Sequence, residues 1–188
     1  MALKEIMNRL MDIARRGDPH ACAEPMSGTV TQVRGLKFMG DFGDLSVTID
    51  EPVIFGGTGS APNPAEVALA ALGASMGVTL RCYAAFYDVP VENVTLHLRG
   101  ALDNRGFFGT ESDIRPGFPQ IDVRILLKTS APAEAIRRLI DRVERCAPVL
   151  DLVRNATPVR VCVECDPPPS SSANSGERPA VKYSNRHI

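Results

Sequence analysis

Apolar residues recur every three or four positions along the first segment, "MALKEIMNRLMDIARRGD", which is the period of an amphipathic helix. The apolar positions form one stripe, and charged residues interrupt it, so the segment lacks the unbroken apolar run of a signal peptide. Gly17 and Pro19 predict where the helix ends. We expect this helix to dock on the body of the protein or on a partner subunit. A helix lying on a membrane surface is the alternative.

The next apolar patterns indicate short strands. The segments "TVTQV", "LKFM" and "LSVTI" are rich in β-prone residues, and glycine-containing turns separate them. They predict a three-stranded meander. The glycines and prolines of "EPVIFGGTGSAPNP" then forbid regular structure, so this loop carries the chain into the next element.

A long apolar helix follows the loop. Asn63 is its predicted N-cap, Pro64 its first residue, and Glu66 completes a variant of the capping box. No charged side chain occurs between Val67 and Leu80, yet these 14 residues are fewer than the roughly 20 that span a bilayer. We therefore predict a buried core helix, whose small residues allow neighbouring segments to approach closely.

The second half repeats the alternation of strands and helices. "VENVTLHLRG" and "QIDVRILLKTS" predict two paired strands, and Asp103, Arg105 and Gly106 between them indicate a hairpin turn. "APAEAIRRLIDRVERCAPVLDLV" predicts one amphipathic helix, and "PVRVCVEC" a closing strand. This order of elements indicates an α+β domain.

Composition narrows the class of protein. The chain has 188 residues, 44% of them apolar, and a formal net charge of −1, which fits one soluble domain and gives no reason to expect nucleic acid or an anionic membrane as a partner. Five irregularly spaced cysteines do not form a secreted disulfide framework, so we expect a cytoplasmic protein. We predict an N-terminal helix and linker over 1–26, the main domain over 27–166, and a Pro- and Ser-rich tail over 167–188.

One short motif suggests a hydrolase. Gly73 to Gly77 fit the G-x-S-x-G pattern that presents a nucleophilic serine on a strained turn between a strand and a helix. Ser75, however, falls about three turns inside the predicted helix. The candidate bases are His97, on a short strand, and His187, in the predicted tail. A serine hydrolase remains an alternative hypothesis with weak support.

The cysteines offer a second alternative, a thiol-dependent redox enzyme using Cys146 or the Cys162-x-x-Cys165 pair. The strand pattern around the pair predicts side chains on opposite faces, and the sequence has no second ligand pair for zinc. We expect no metal and no cofactor. Cys82, on the long helix, is best interpreted as a small core residue.

Several segments together resemble the family of osmotically inducible and organic hydroperoxide resistance proteins (OsmC/Ohr). They are "DEP", "GGTGSAPNPAEVALAALGASMGVTLRCYA", "LDNRG", "PGFPQIDVRI" and "VERCAPVLDL". The resemblance runs from about Gly28 to Glu164. It implies an OsmC-like fold in which antiparallel sheets pack around long central helices, and an intertwined homodimer. It also implies reduction of organic hydroperoxides by a pair of cysteines that dithiols regenerate.

The resemblance assigns family positions to particular residues. The position of the peroxide-attacking cysteine is Ser75 here, and the second cysteine aligns with Cys146, although Ala147 is inserted before the proline. A glutamate often follows the helix-starting proline and helps to orient an arginine over the thiolate. This chain has Glu66 one step later, about 100° around the helix, and Arg34 is our candidate for the arginine of the pocket.

A serine at position 75 changes the chemistry that the resemblance implies. Peroxide cleavage needs a thiolate that becomes a sulfenic acid, and a hydroxyl cannot do this or form a disulfide with Cys146. Cys82 lies about 10 Å further along the helix axis, so we expect it outside the pocket around Ser75. Ala65 and the inserted Ala147 favour natural divergence over a deliberate Cys-to-Ser replacement. We therefore expect an OsmC-like protein without cysteine peroxidase activity that binds a small hydrophobic ligand or an organic hydroperoxide.

Overall fold

The computed structural model describes residues 2–17, 22–165 and 180–181. The chain divides into two compact units, one ending at Val153 and the other beginning at Arg154. The helices are α1 (Leu3–Arg16), α2 (Pro64–Phe86), α3 (Asn104–Phe108), α4 (Ala133–Cys146) and α5 (Pro148–Arg154), and a 3-10 turn spans Val53–Phe55. The strands are β1 (Thr29–Arg34), β2 (Lys37–Phe42), β3 (Leu45–Ile49), β4 (Val91–Gly100), β5 (Ile121–Thr129), β6 (Val163–Glu164) and β7 (Ala180–Val181).

Helix α1 forms as its amphipathic pattern predicts. The Glu5 carboxylate accepts a hydrogen bond from the Ala2 amide, and Gly17 ends the helix in the left-handed conformation that favours glycine. The helix packs on α2, so it docks on the body of its own chain. Pro19, the other predicted stop signal, lies outside the described residues.

The strands form separate antiparallel sheets. Strands β1, β2 and β3 make the predicted meander, and β4 pairs with β5 in a register that sets Leu96 opposite Ile125. β6 pairs with β7 in the second compact unit. Helices and antiparallel sheets together confirm the α+β class.

Helix α2 begins with the predicted capping box. The Asn63 side chain accepts a hydrogen bond from the Glu66 amide at 2.9 Å, and the Glu66 carboxylate accepts one from the Asn63 amide at 2.8 Å. These bonds satisfy amides that the first turn of a helix leaves without partners. The loop signals and the cap therefore fix where the helix starts.

The expectation that α2 is a buried core helix is only half right, because one face is buried and another is exposed. Leu80 is fully buried and packs in a cluster with Leu139 and Val143 of α4, whereas Val78 is 63% exposed. By length and composition alone α2 is long and apolar enough to cross a membrane. It packs against α4 and β4.

Glycines let α2 lie close to β4. A Cβ added to Gly73 would be 2.7 Å from Leu98 Cδ1, and one added to Gly77 would be 3.3 Å from Leu96 Cδ1. This close approach is the packing gain that offsets the roughly 1 kcal/mol of helix propensity that each glycine costs.

Three segments differ from the sequence-based expectations. The predicted turn after Asp103 is the short helix α3, because the Asp103 side chain caps it through the Arg105 amide. The predicted single helix is two helices, since Ala147 is extended ahead of Pro148, as residues before proline usually are. In the segment "PVRVCVEC", only Val163–Glu164 pair as a strand.

Candidate functional site

An open groove of about 420 Å³ lies between α1, α2 and the junction of α4 with α5. Most of the surface that lines the groove is apolar, although five of the nine lining residues are a serine, a threonine, a tyrosine and two cysteines. The lining residues are Met7, Ala74, Ser75, Val78, Thr79, Cys82, Tyr83, Cys146 and Pro148. The structure therefore brings the predicted site residues Ser75 and Cys146 together.

Ser75 is held by the start of α5. Its Oγ accepts a hydrogen bond of 3.2 Å from the Val149 amide, one of the first amides of that helix, which have no partner inside it. The Ser75 carbonyl accepts a second bond, of 2.7 Å, from the Thr79 hydroxyl. Ser75 thus ties α2 to α5, and a half-buried oxygen stands where the family resemblance places the attacking sulfur.

Cys146 belongs to a polar cluster beside the groove. The Tyr83 hydroxyl donates a hydrogen bond to the Cys146 sulfur, and this bond is the main reason that the pKa of Tyr83 rises to about 12. The Arg142 guanidinium lies 5.4 Å from the centre of the Tyr83 ring. Hydrogen bonds to Tyr87 and Cys146 raise the pKa of Arg142. The cluster gives Cys146 one neutral donor and one cation as neighbours.

The sequence reasoning missed Tyr83 and Arg142 as site residues. The signal was present in the spacing, because Arg142 and Cys146, like Tyr83 and Tyr87, are four residues apart and so share a helix face. What the spacing does not reveal is that these two faces meet.

The expectation that Cys82 lies outside the pocket is wrong. Cys82 lines the same groove as Ser75 and Cys146. Seven residues are two helical turns, so Cys82 has nearly the same direction as Ser75, and the groove is long enough along α2 to include both. The groove is an extended surface along α2 and is not confined to the surroundings of Ser75.

The structure places the two other predicted site residues elsewhere. Glu66 is exposed at the start of α2 and is engaged in the capping box. Arg34 is exposed at the end of β1. Neither residue lines the groove of its own chain, and a role in the pocket stays a prediction for both.

Asp50 organises the loop that leads into α2, a role that the sequence did not reveal. Its buried carboxylate accepts hydrogen bonds from the amides and hydroxyls of Thr58 and Ser60. These bonds, foremost that from the Thr58 hydroxyl, hold the pKa of Asp50 well below its ordinary value. Gly57 is required in the same loop, because a Cβ there would lie 1.8 Å from the carbonyl oxygen of Glu51.

The other candidate residues lie apart from the groove. His97 is exposed on β4, paired across the sheet with Arg124, and His187 is outside the described residues.

Ser75 lies inside a helix and has no strained turn of the kind that a nucleophilic elbow needs. Cys162 and Cys165 are both exposed in the second unit. Within residues 2–17, 22–165 and 180–181, no three His, Cys, Asp or Glu residues cluster closely enough to bind a metal.

The family of OsmC-like proteins matches this chain over residues 57–161, which is more than half of its length. The match includes α2, β4, β5, α4 and α5, and therefore every groove residue except Met7. No match was found among curated proteins.

Solved structures support the same fold. An OsmC-like protein from Mycoplasma pneumoniae superposes with a TM-score of 0.62 at 15% identity, covering 70% of this chain and 88% of its own. An organic hydroperoxide resistance protein OsmC from Legionella pneumophila gives 0.53 at 18% identity, covering 70% and 90%. A third, an organic hydroperoxide resistance protein from Elizabethkingia anophelis, gives 0.52 at 16% identity, covering 70% and 89%. At these identities the likeness is one of fold.

Proposed function

Because this chain belongs to the family of OsmC-like proteins, we propose that it serves in the response to organic hydroperoxides without cysteine-based peroxidase activity of its own. It holds a small hydrophobic molecule in the groove that Ser75 and Cys146 line. We further propose that it acts as a cytoplasmic homodimer, in line with its free cysteines and with the exposed apolar surface around Val78.

One observation supports this proposal above the others. Ser75 Oγ lies 3.2 Å from the Val149 amide, in the same groove as Cys146. In this proposal, Cys146 holds the position of the second thiol of a dithiol cycle, and the Ser75 hydroxyl stands in place of the first. A hydroxyl does not cleave a peroxide bond and has no sulfenic acid for Cys146 to resolve.

The lining of the groove supports the ligand class. Met7, Ala74, Val78 and Pro148 present apolar surface, and a ligand that covers them gains about 25 cal/mol for each Å² of apolar area removed from water. Polar atoms make up only a small part of the lining surface, and a few polar groups in an apolar pocket typically orient a small apolar ligand. An organic hydroperoxide or its alcohol product has the matching chemistry, an apolar body with one polar end.

The test compares hydroperoxide consumption by the wild-type protein and by Ser75→Cys, with cumene hydroperoxide and dithiothreitol as the probes. We expect the wild type to remain at the rate of the protein-free control. Ser75→Cys restores the missing sulfur, and we expect at least about a tenfold faster rate, equivalent to about 1.4 kcal/mol in activation free energy. Ser75→Cys combined with Cys146→Ser should lose turnover.

Cys82 requires its own control because it lines the same groove. Wild-type turnover comparable to that of Ser75→Cys, and abolished by Cys82→Ser, would mean that Cys82 has taken over the attack on the peroxide. That result would contradict the proposal. Ligand binding is tested separately by displacing an apolar fluorescent dye with cumyl alcohol, and a Val78→Asp variant should weaken the binding of both.

A further inference from the structure

The Ser75 hydroxyl has a hydrogen-bonding capacity that the rest of the chain does not use. A hydroxyl can donate one hydrogen bond and accept two. Ser75 Oγ accepts one, of 3.2 Å, from the Val149 amide. Among the residues that the structure describes, no group accepts the proton of this hydroxyl. The proton is therefore available to a molecule in the groove.

The side chain of Ser75 is turned towards the groove wall. Serine inside a helix often donates to the carbonyl four residues earlier, which here belongs to Ala71. Ser75 does not do so, because its Oγ is turned towards Val149 on α5. Pro148, the residue directly before Val149, lines the same groove as Ser75. The bond between Ser75 and Val149 thus lies at the groove wall and fixes the hydroxyl there.

The other polar groups of the groove are weaker candidates for a donor. The Thr79 hydroxyl already donates to the Ser75 carbonyl, at 2.7 Å, and the two thiols are weak donors. The Tyr83 hydroxyl is the remaining competitor. Ser75 has the advantage that the Val149 amide already holds its side chain, so a ligand that bonds to it immobilises no further rotamers.

The charge of the lining restricts the kind of acceptor. None of the nine lining residues is an aspartate, glutamate, lysine, arginine or histidine. Arg142 lies 5.4 Å from the centre of the Tyr83 ring but is not one of them. An anion that leaves water for this groove would find no cation in its lining, and burying an unpaired ion is costly. The groove therefore favours a neutral oxygen.

We propose that Ser75 determines the ligand specificity of the groove, because its hydroxyl donates a hydrogen bond to a neutral oxygen on an apolar molecule, such as that of a ketone, an ether or an alcohol. This inference rests on the proposed function, since it takes the groove to be a ligand site, and it adds the group that is recognised. A cysteine at position 75 would recognise such an oxygen poorly, because a thiol is a weak donor.

Two probes of matched shape test the proposal. Acetophenone and α-methylstyrene differ only in a carbonyl oxygen that replaces a methylene group. NMR titration gives the dissociation constant of each probe for the wild type and for Ser75→Ala. We expect Ser75→Ala to weaken acetophenone binding about three- to tenfold relative to that of α-methylstyrene, the range of one net hydrogen bond. The α-methylstyrene values correct for any change in the shape of the groove.

Further measurements separate the Ser75 proton from the other features of the groove. Thr79→Val removes a hydroxyl whose proton is already engaged, so the relative preference for acetophenone should stay within about twofold of the wild type, less than one net hydrogen bond. Ser75→Cys should reduce that preference in the same direction as Ser75→Ala, because the thiol is the weaker donor. Benzoate, which carries a charge on a similar ring, should bind the wild type more weakly than acetophenone does.

Three results would overturn the proposal. They are an equal preference for acetophenone in the wild type and Ser75→Ala, a preference that Tyr83→Phe removes and Ser75→Ala does not, and tighter binding of benzoate than of acetophenone. In each of these cases the groove still binds an apolar molecule, so the proposed function survives. If α-methylstyrene does not bind the wild type at all, the ligand-binding part of the proposed function fails and this inference fails with it.

Discussion

Replacing Gly73 by alanine tests the close packing of α2 on β4 most sharply, because Gly77 provides a matched control on the same helix. An alanine Cβ at position 73 would lie 2.7 Å from Leu98 Cδ1, so the leucine must move. Overpacking of this kind costs about 1–3 kcal/mol, and the better helix propensity of alanine returns about 1 kcal/mol. We expect Gly73→Ala to change the free energy of unfolding by between zero and about −2 kcal/mol.

Gly77→Ala should behave differently. Its Cβ would lie 3.3 Å from Leu96 Cδ1, so that side chain needs to shift by only a few tenths of an ångström. Most of the roughly 1 kcal/mol of helix propensity should then appear as added stability. Urea denaturation followed by circular dichroism gives both values, and Leu98→Val in the Gly73→Ala protein should recover part of the loss. A Gly73→Ala protein as stable as Gly77→Ala would refute the packing explanation.

Three further results are expected. Gly57→Ala should prevent the loop before α2 from closing, because the added Cβ meets backbone at 1.8 Å, and the unfolding midpoint in urea should fall well below that of the wild type. The lowered pKa of Asp50 means that its contribution to stability is present above the unfolded value of about 3.9 and is lost as the pH falls through the folded value. The unfolding midpoint of Asp50→Asn should therefore be lower than that of the wild type at neutral pH and less sensitive to acid. Cys146→Ala removes the acceptor of the Tyr83 hydroxyl, so the pKa of Tyr83 should fall from about 12 towards its ordinary value of about 10, as measured by tyrosinate absorbance.

Features that depend on neighbouring residues could be predicted from the sequence. Asn63 and Glu66 form the capping box that their spacing indicates, since both partners lie within one turn. Gly17 ends α1 for the same local reason. Alternating apolar residues also placed β4 and β5 correctly, because the period of two identifies a strand with one face against the core.

Features that depend on distant contacts could not be predicted. The bond between Ser75 and the Val149 amide joins residues 74 positions apart, and no pattern in either segment reveals it. The clustering of Tyr83 with Cys146 likewise depends on how α4 crosses α2. The error over Cys82 has the same origin, since helix geometry gave its position along α2 but not the length of the groove beside it.

The steady-state rate of cumene hydroperoxide reduction with dithiothreitol, measured side by side for the wild type and Ser75→Cys, tests the central claim most directly. The account predicts a wild-type rate no higher than that of the protein-free control and at least about a tenfold increase for Ser75→Cys. Equal rates well above that control would contradict it, because they would mean that this groove reduces hydroperoxides without a sulfur at position 75.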